Sequence, residues 1–221
     1  MSNKFRMYFN NDSFLQELKD KLNNKTPFAF SRWADGEWLT ISKENPSDSN
    51  CDGNYYYLDL ADKLISIITE KQDTVYMGHQ NVAHAYSLRD KYPQDWVNSD
   101  LLHELSEERG LDDVFEMFSN QHIVYIGNES LSKLSFIDEF IEIPYNNVWL
   151  KYEEVMSEIK SKMVDDEYKV FLFSGGMASN AFIHDLWEYN NKNVYMDVGS
   201  AFDPYVGRNS RSYHHKLNLD I

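Results

Sequence analysis

The sequence predicts an α/β fold, a mostly parallel sheet flanked by helices. Two observations predict it. Short apolar, β-prone runs alternate with segments of helical period along the whole chain. Nearly every one of those runs closes on Gly together with Asp, Glu, His, Asn or Ser, and in parallel sheets ligands bind beyond the carboxyl ends of the strands.

Taken in order, Ser13 to Gln16 reads as a capping box that opens a short amphipathic helix through about Leu22. A first strand around Phe28 to Arg32 is expected to end in a turn carrying Asp35 and Glu37. Residues 43–54 form a polar loop beside that turn, with the position of a lid. Leu60, Leu64, Ile67 and Ile68 have helical spacing within Leu58 to Thr69. Thr74 to Met77 is a strand ending in Gly78-His79-Gln80-Asn81. Helical material follows at about 82–90 and 100–109, with Gly110 as a stop, inside a helical insertion of about 81–120.

Strands are expected at His122 to Ile126, closing on Gly127-Asn128-Glu129-Ser130, and at Phe140 to Ile143. Tyr152 to Met163 is a helix, and Val170 to Phe173 is a buried strand that runs into Ser174-Gly175-Gly176. Ala178 to Tyr189 is the next helix, and Val194 to Met196 the last strand, followed by Asp197, Gly199, Ser200 and Asp203. No internal repeat interrupts this order, and 221 residues suit a single domain, 1–221.

Composition narrows the function. Acidic residues number 36 against 21 basic ones, a formal charge of −15. That balance argues against a nucleic-acid partner, which is held by Lys and Arg on phosphates. It leaves room for a small phosphorylated ligand met by a metal or a local basic patch. Cys51 is the single cysteine, so an internal disulfide and a multi-cysteine zinc site are both excluded. The sequence contains no apolar run of the roughly 20 residues a membrane span needs. With no signal-peptide core at its start, a cytoplasmic protein is the expectation.

Candidate chemistry concentrates in three places. In an extended or tightly turned backbone Asp35 and Glu37 would point the same way across Gly36 and share one cation. Paired carboxylates are hard ligands suited to Mg²⁺ or Mn²⁺, ions that bind substrate phosphates at the same time. On a helix the two would diverge by roughly 200° and could not share it. An acidic-x-acidic triplet is weak on its own, since chance gives about six in a chain this acidic.

The second place is the loop from Ser174 to Ser179, between a strand and a helix, where Gly175 and Gly176 present backbone N–H groups to an anion or allow close strand–helix packing. The third is the tail, where Arg208 and Arg211, two of six arginines, lie within four residues and suit phosphate or carboxylate. Neither G-x-G-x-x-G, a Walker loop, H-E-x-x-H nor G-x-S-x-G is present. His79 and His84, five apart, fall on different helix faces, and His103 and His184 read as packing or surface residues.

Together, the run Ser31 to Glu37, the Gly175-Gly176 loop opening a helix, and the tail from Asp197-Val198-Gly199-Ser200 to Arg211-Ser212-Tyr213-His214 resemble the GT-D-type glycosyltransferases over about residues 27–214. The resemblance implies a single Rossmann-like domain, a nucleoside-diphosphate sugar donor, a hydroxyl acceptor such as a growing glycan, and a divalent metal served by Asp35 and Glu37. Trp33-Ala34 departs from the smaller, Gly-containing sequence expected before Asp35.

On that reading Arg32, Gly175, Gly176, Arg208 and Arg211 are candidates for donor contacts, and His214 for a further metal ligand. Asp203, then Glu129 and Asp197, are candidates for the base that takes the acceptor proton. A methyltransferase or a non-catalytic interaction domain remains open as an alternative.

Overall fold

In the computed structural model the protein is described at residues 7, 8, 10–44, 47–80, 85, 88, 91–163 and 167–211. Its strands are β1 (Met7–Tyr8), β2 (Phe28–Trp33), β3 (Val75–His79), β4 (Asp95–Asn98), β5 (Ile123–Gly127), β6 (Glu139–Glu142), β7 (Val170–Phe173) and β8 (Val194–Asp197). They form one sheet in the order β1-β4-β3-β2-β8-β7-β5-β6, and every pairing is parallel.

Helices pack on both faces, as a parallel sheet requires. They are α1 (Asn11–Asn23), α2 (Asp35–Ser42), α3 (Leu58–Thr69), α4 (Leu101–Arg109), α5 (Asp112–Phe118), α6 (Tyr152–Ser161) and α7 (Ala178–Tyr189). The period-two pleat sorts the strand side chains cleanly. Ala29, Phe171, Phe173 and Tyr195 face a core shared with α3, α6 and α7. Their neighbours Phe28, Phe30, Val170, Leu172, Val194 and Met196 face α1, α4 and α5. The strands β3, β5, β7 and β8 are buried along their whole length, which is why Val170 to Phe173 and Ile123 to Ile126 read as unbroken apolar runs.

Several boundaries differ from the sequence expectation. The N-cap of α1 is Asn10, whose side chain accepts from the Ser13 N–H, so Ser13 lies inside the helix. The stretch expected as a helical insertion contributes β4, α4 and α5, which belong to the sheet and its second face. With only Trp96 and Val97 fully apolar, β4 is too short to announce itself. Gly110 does end α4, at φ +79°.

The main correction concerns Asp35 and Glu37. No extended turn follows β2; the chain enters α2 directly, with Asp35 as its first residue and Glu37 as its third. Glu37 folds back so that its carboxylate accepts the Ala34 N–H at 2.8 Å, satisfying one of the N–H groups left open at a helix start. This local bond outweighs the turn tendency of Asp35-Gly36.

Candidate active site

The connection from β2 leads to β3 and β4 on one side of the sheet, whereas β5, β6 and β7 fill the other side and β8 returns to pair with β2. The crevice outside the carboxyl ends of β2 and β8 is therefore the topological switch point, where such sheets bind ligands. A cleft of about 410 Å³ opens there. Strand ends supply its floor: Arg32 in β2 and Asp35 just after it, Ser174 and Gly176 after β7, Asp197 at the end of β8 and Gly199 after it.

The floor is a buried polar network. Glu37 is 7 % exposed. One carboxylate oxygen accepts from Ala34 N–H and the other from the Asn180 amide at 3.3 Å. Asn180, on α7, in turn accepts from the Ser31 hydroxyl, which takes the Trp33 indole N–H at 3.2 Å. Burial pushes the Glu37 carboxyl up to about 7; the Ala34 N–H opposes this, and the charge of Asp197 adds to it. Asp197, buried at the end of β8, is pushed up to about 6 by burial, against the pull of the Arg32 guanidinium. Its Oδ1 accepts the Gly199 N–H at 2.9 Å.

Arg32 is fixed by two partners from beyond β4. Its Nε donates to the Ser99 carbonyl at 2.8 Å and its Nη2 pairs with Asp100 at 3.1 Å. Gly199, at φ +53°, lies against the guanidinium so closely that a Cβ there would overlap it. The far side of the rim is tied by a hydroxyl chain. Tyr125 donates to Ser174 Oγ at 2.7 Å, and Ser174 donates to the Gly199 carbonyl at 2.6 Å.

The glycine pair divides its work. Gly175 is buried, its N–H donates to Ser179 Oγ at 3.0 Å, and a Cβ would press on Ser179 and Ile143, so it serves packing. Gly176 is exposed, sits at φ +59° and lines the cleft.

The outer wall is built of ion pairs. Arg211 grips Asp52 through two bonds of 2.8 Å each, a bidentate fork that joins the C-terminal segment to the polar loop. Asp203 is 4 % exposed. It accepts from Ser210 and lies 3.5 Å from Arg208; burial raises its pKa, with these partners opposing. Arg208 also donates to Ser130 Oγ at 3.2 Å and lies over the Tyr145 ring. The polar loop is held down: Asn147 accepts from the Tyr55 N–H and donates its own N–H to Asn54 Oδ1.

Of the candidates from sequence, Arg32, Asp35, Glu37, Gly176, Asp197, Asp203, Arg208 and Arg211 all line this cleft. Glu129 is exposed in the 3₁₀ turn Glu129–Lys133 and is not part of the lining, whereas its neighbour Asn128 is. His214 and His84 lie outside the described residues. Sequence reasoning missed Asn180, Asp100 and Asp52. Asn180 had one visible signal, an amide inside an otherwise apolar helix face that must find a buried partner.

A metal fits part of this arrangement. Asp35 is exposed on the first turn of α2 and offers an oxygen ligand to the cleft. Glu37 points inward, with both oxygens hydrogen-bonded, so the described conformation does not bring the pair onto one ion. A cation that keeps several waters and takes one or two carboxylates plus phosphate oxygens suits such a site.

No protein-family profile matches the sequence, and no curated protein matches it. Solved structures do match the fold. A structure described as a new glycosyltransferase (DUF1792) from Streptococcus sanguinis aligns with a TM-score of 0.65 at 13 % identity, over 99 % of this chain and 94 % of that one. A second, described as the domain of unknown function 1792 with a distinct glycosyltransferase fold, gives 0.64 at 11 % identity over 99 % and 92 %. A selenomethionine structure of the same domain gives 0.63 at 13 % identity over 92 % and 81 %. The chain shares this fold over nearly its whole length.

Proposed function

We propose that the protein is a glycosyltransferase that moves a sugar from a nucleoside diphosphate to a hydroxyl acceptor such as a glycan, with Mn²⁺ or Mg²⁺ at Asp35. One observation carries the reading. A fold shared with structures described as glycosyltransferases places Asp35, Gly176, Arg208 and Arg211 around a single cleft at the sheet's switch point.

Breaking the anomeric bond leaves negative charge on the diphosphate. A bound divalent ion supplies electrostatic stabilisation of that charge. Arg208 and Arg211 bring guanidinium forks to the same side, and the present partners of those forks, Asp203 and Asp52, occupy the positions that phosphate oxygens would take. Glu37 is a positioning residue: it caps the turn that presents Asp35 and links it through Asn180 to α7.

For transfer with inversion, the acceptor hydroxyl gives its proton to a carboxylate. Asp197 is favoured because burial tunes it to about 6, close to a working pH. Both oxygens of Asp203 are engaged by Ser210 and Arg208, which suits a brace for the tail.

The test is transfer and donor hydrolysis measured across UDP-, GDP- and other nucleoside-diphosphate sugars, with Mn²⁺ or with EDTA. Turnover is expected with at least one donor, abolished by EDTA and by Asp35→Asn. Asp197→Asn is expected to slow turnover about 100-fold, the usual contribution of a positioned base, while leaving nucleotide affinity intact. Turnover undiminished in EDTA and in Asp35→Asn contradicts the metal role. A response to S-adenosylmethionine alone contradicts glycosyl transfer.

A further inference from the structure

A second constellation lies away from the cleft, where the end of α3 meets α7. Glu70, at the C-cap of α3, and His184 and Glu188, one turn apart on α7, bring one ligand atom each to within 4.8 Å of one another. His184 is 6 % exposed, whereas the two glutamates reach out from the surface. At 1.5 Å per residue, His184 sits roughly 9 Å and Glu188 roughly 15 Å along the helix from the start that faces the cleft.

The histidine is oriented as a ligand would be. Its Nδ1 lies 3.1 Å from Asp185. Asp185 also accepts from Lys63 Nζ and from the Tyr152 hydroxyl, as an ionised carboxylate does. A carboxylate in that state only accepts, so Nδ1 carries the hydrogen and the Nε2 lone pair faces the Gln72 amide and Glu188, the latter 3.8 Å away. A carboxylate behind a histidine is the arrangement that fixes tautomer and ring orientation in metal sites.

Gln72 adds an independent sign. Its amide nitrogen lies 3.3 Å from His184 Nε2 and 3.2 Å from Glu188, while its amide oxygen is buried and accepts no hydrogen bond. Turning the amide over, a change ordinary structures do not resolve, would bring that oxygen to the same point in place of the nitrogen.

We propose that Glu70, His184 and Glu188 bind one divalent transition-metal ion, with Zn²⁺ the best match, which joins the end of α3 to α7. One imidazole nitrogen and carboxylate oxygens are a normal zinc donor set, with Zn–N and Zn–O near 2.0–2.2 Å. Tetrahedral bonds of that length place ligand atoms about 3.3 Å apart. The cluster must therefore contract by about 1.5 Å, a movement within reach of the two surface glutamates. Water or the Gln72 oxygen completes the shell.

The experiment is calorimetric titration of chelator-treated protein with Zn²⁺, together with thermal unfolding with and without the ion. Wild type and Asp35→Asn are both expected to bind one equivalent and to unfold at higher temperature with zinc. Glu70→Gln and Glu188→Gln, surface changes that leave the core untouched, are expected to weaken binding at least ~10-fold and to lose the zinc-dependent rise. His184→Ala should do the same. The proposal is overturned if wild type binds no zinc, if both glutamine variants bind as wild type does, or if Asp35→Asn abolishes binding.

Discussion

The floor and the outer wall of the cleft use the same residue types to different ends. On the floor, Arg32, Glu37 and Asp197 sit in low dielectric among backbone partners, one amide and the Asp100 carboxylate that pairs with Arg32, and burial shifts both carboxyls upward. On the wall, Arg208 and Arg211 meet Asp203 and Asp52 as pairs whose arginines keep 22 % and 34 % of their side-chain surface exposed. The Arg211–Asp52 pair is partly exposed at both partners and is worth little to stability, whereas Asp203 is buried. Folding therefore fixes the floor, while on the wall Arg211 can exchange its carboxylate for phosphate.

The contrast is most sharply tested on the floor. Gly199→Ala places a methyl where the Arg32 guanidinium lies and forces a side chain into a left-handed backbone. The loss of charged hydrogen bonds and the αL strain together are expected to cost about 4 kcal/mol in denaturant unfolding. A change below 1 kcal/mol would show that Arg32 is not locked.

Next in size is the pH dependence of Glu37. Its folded pKa, about 7, lies above the ordinary 4.5, so between those values the folded state holds more protons than the unfolded one, and stability falls as pH rises through that window. A displacement of this size is worth about 3 kcal/mol. Metal-free wild type is expected to lose stability from pH 5 to pH 8, and Glu37→Gln to lose less. Asp197, raised in the same direction, supplies the slope that remains. Parallel curves for the two proteins would remove Glu37 from the floor's electrostatics.

On the wall the effects are smaller and fall on binding. Arg211→Ala is expected to change stability by less than about 1 kcal/mol and to weaken nucleoside-diphosphate binding about tenfold, or 1.4 kcal/mol. Asp52→Asn, which removes the carboxylate that Arg211 now grips, should strengthen it. If Arg211→Ala unfolds the protein as readily as Gly199→Ala, the difference between floor and wall disappears.

The same contrast explains what was legible in the sequence. The parallel sheet was, because strands buried on both faces leave unbroken apolar runs such as Val170 to Phe173. The cleft's position was, because strand ends gather on one rim, bringing residues as distant as Asp35, Gly176 and Arg208 together. Side-chain direction was not. The helical placement of Asp35 and Glu37 depends on a bond from Glu37 back to Ala34 and on Asn180, 143 residues away. Pairings such as Arg211 with Asp52, 159 residues apart, leave no periodic trace. Short β4 was hidden for a related reason, since its apolar character is confined to Trp96 and Val97 and its place in the sheet is fixed by pairing with β3 and β1.

The central claim, that this cleft holds a nucleoside diphosphate through a cation on Asp35 and the arginines of the tail, is tested most directly by calorimetric titration with UDP and GDP. Wild type in Mn²⁺ should bind at least one of them, with affinity lost in EDTA and in Asp35→Asn and reduced in Arg211→Ala. Equal affinity in all four conditions, or no binding of either nucleotide to the folded protein, would contradict it.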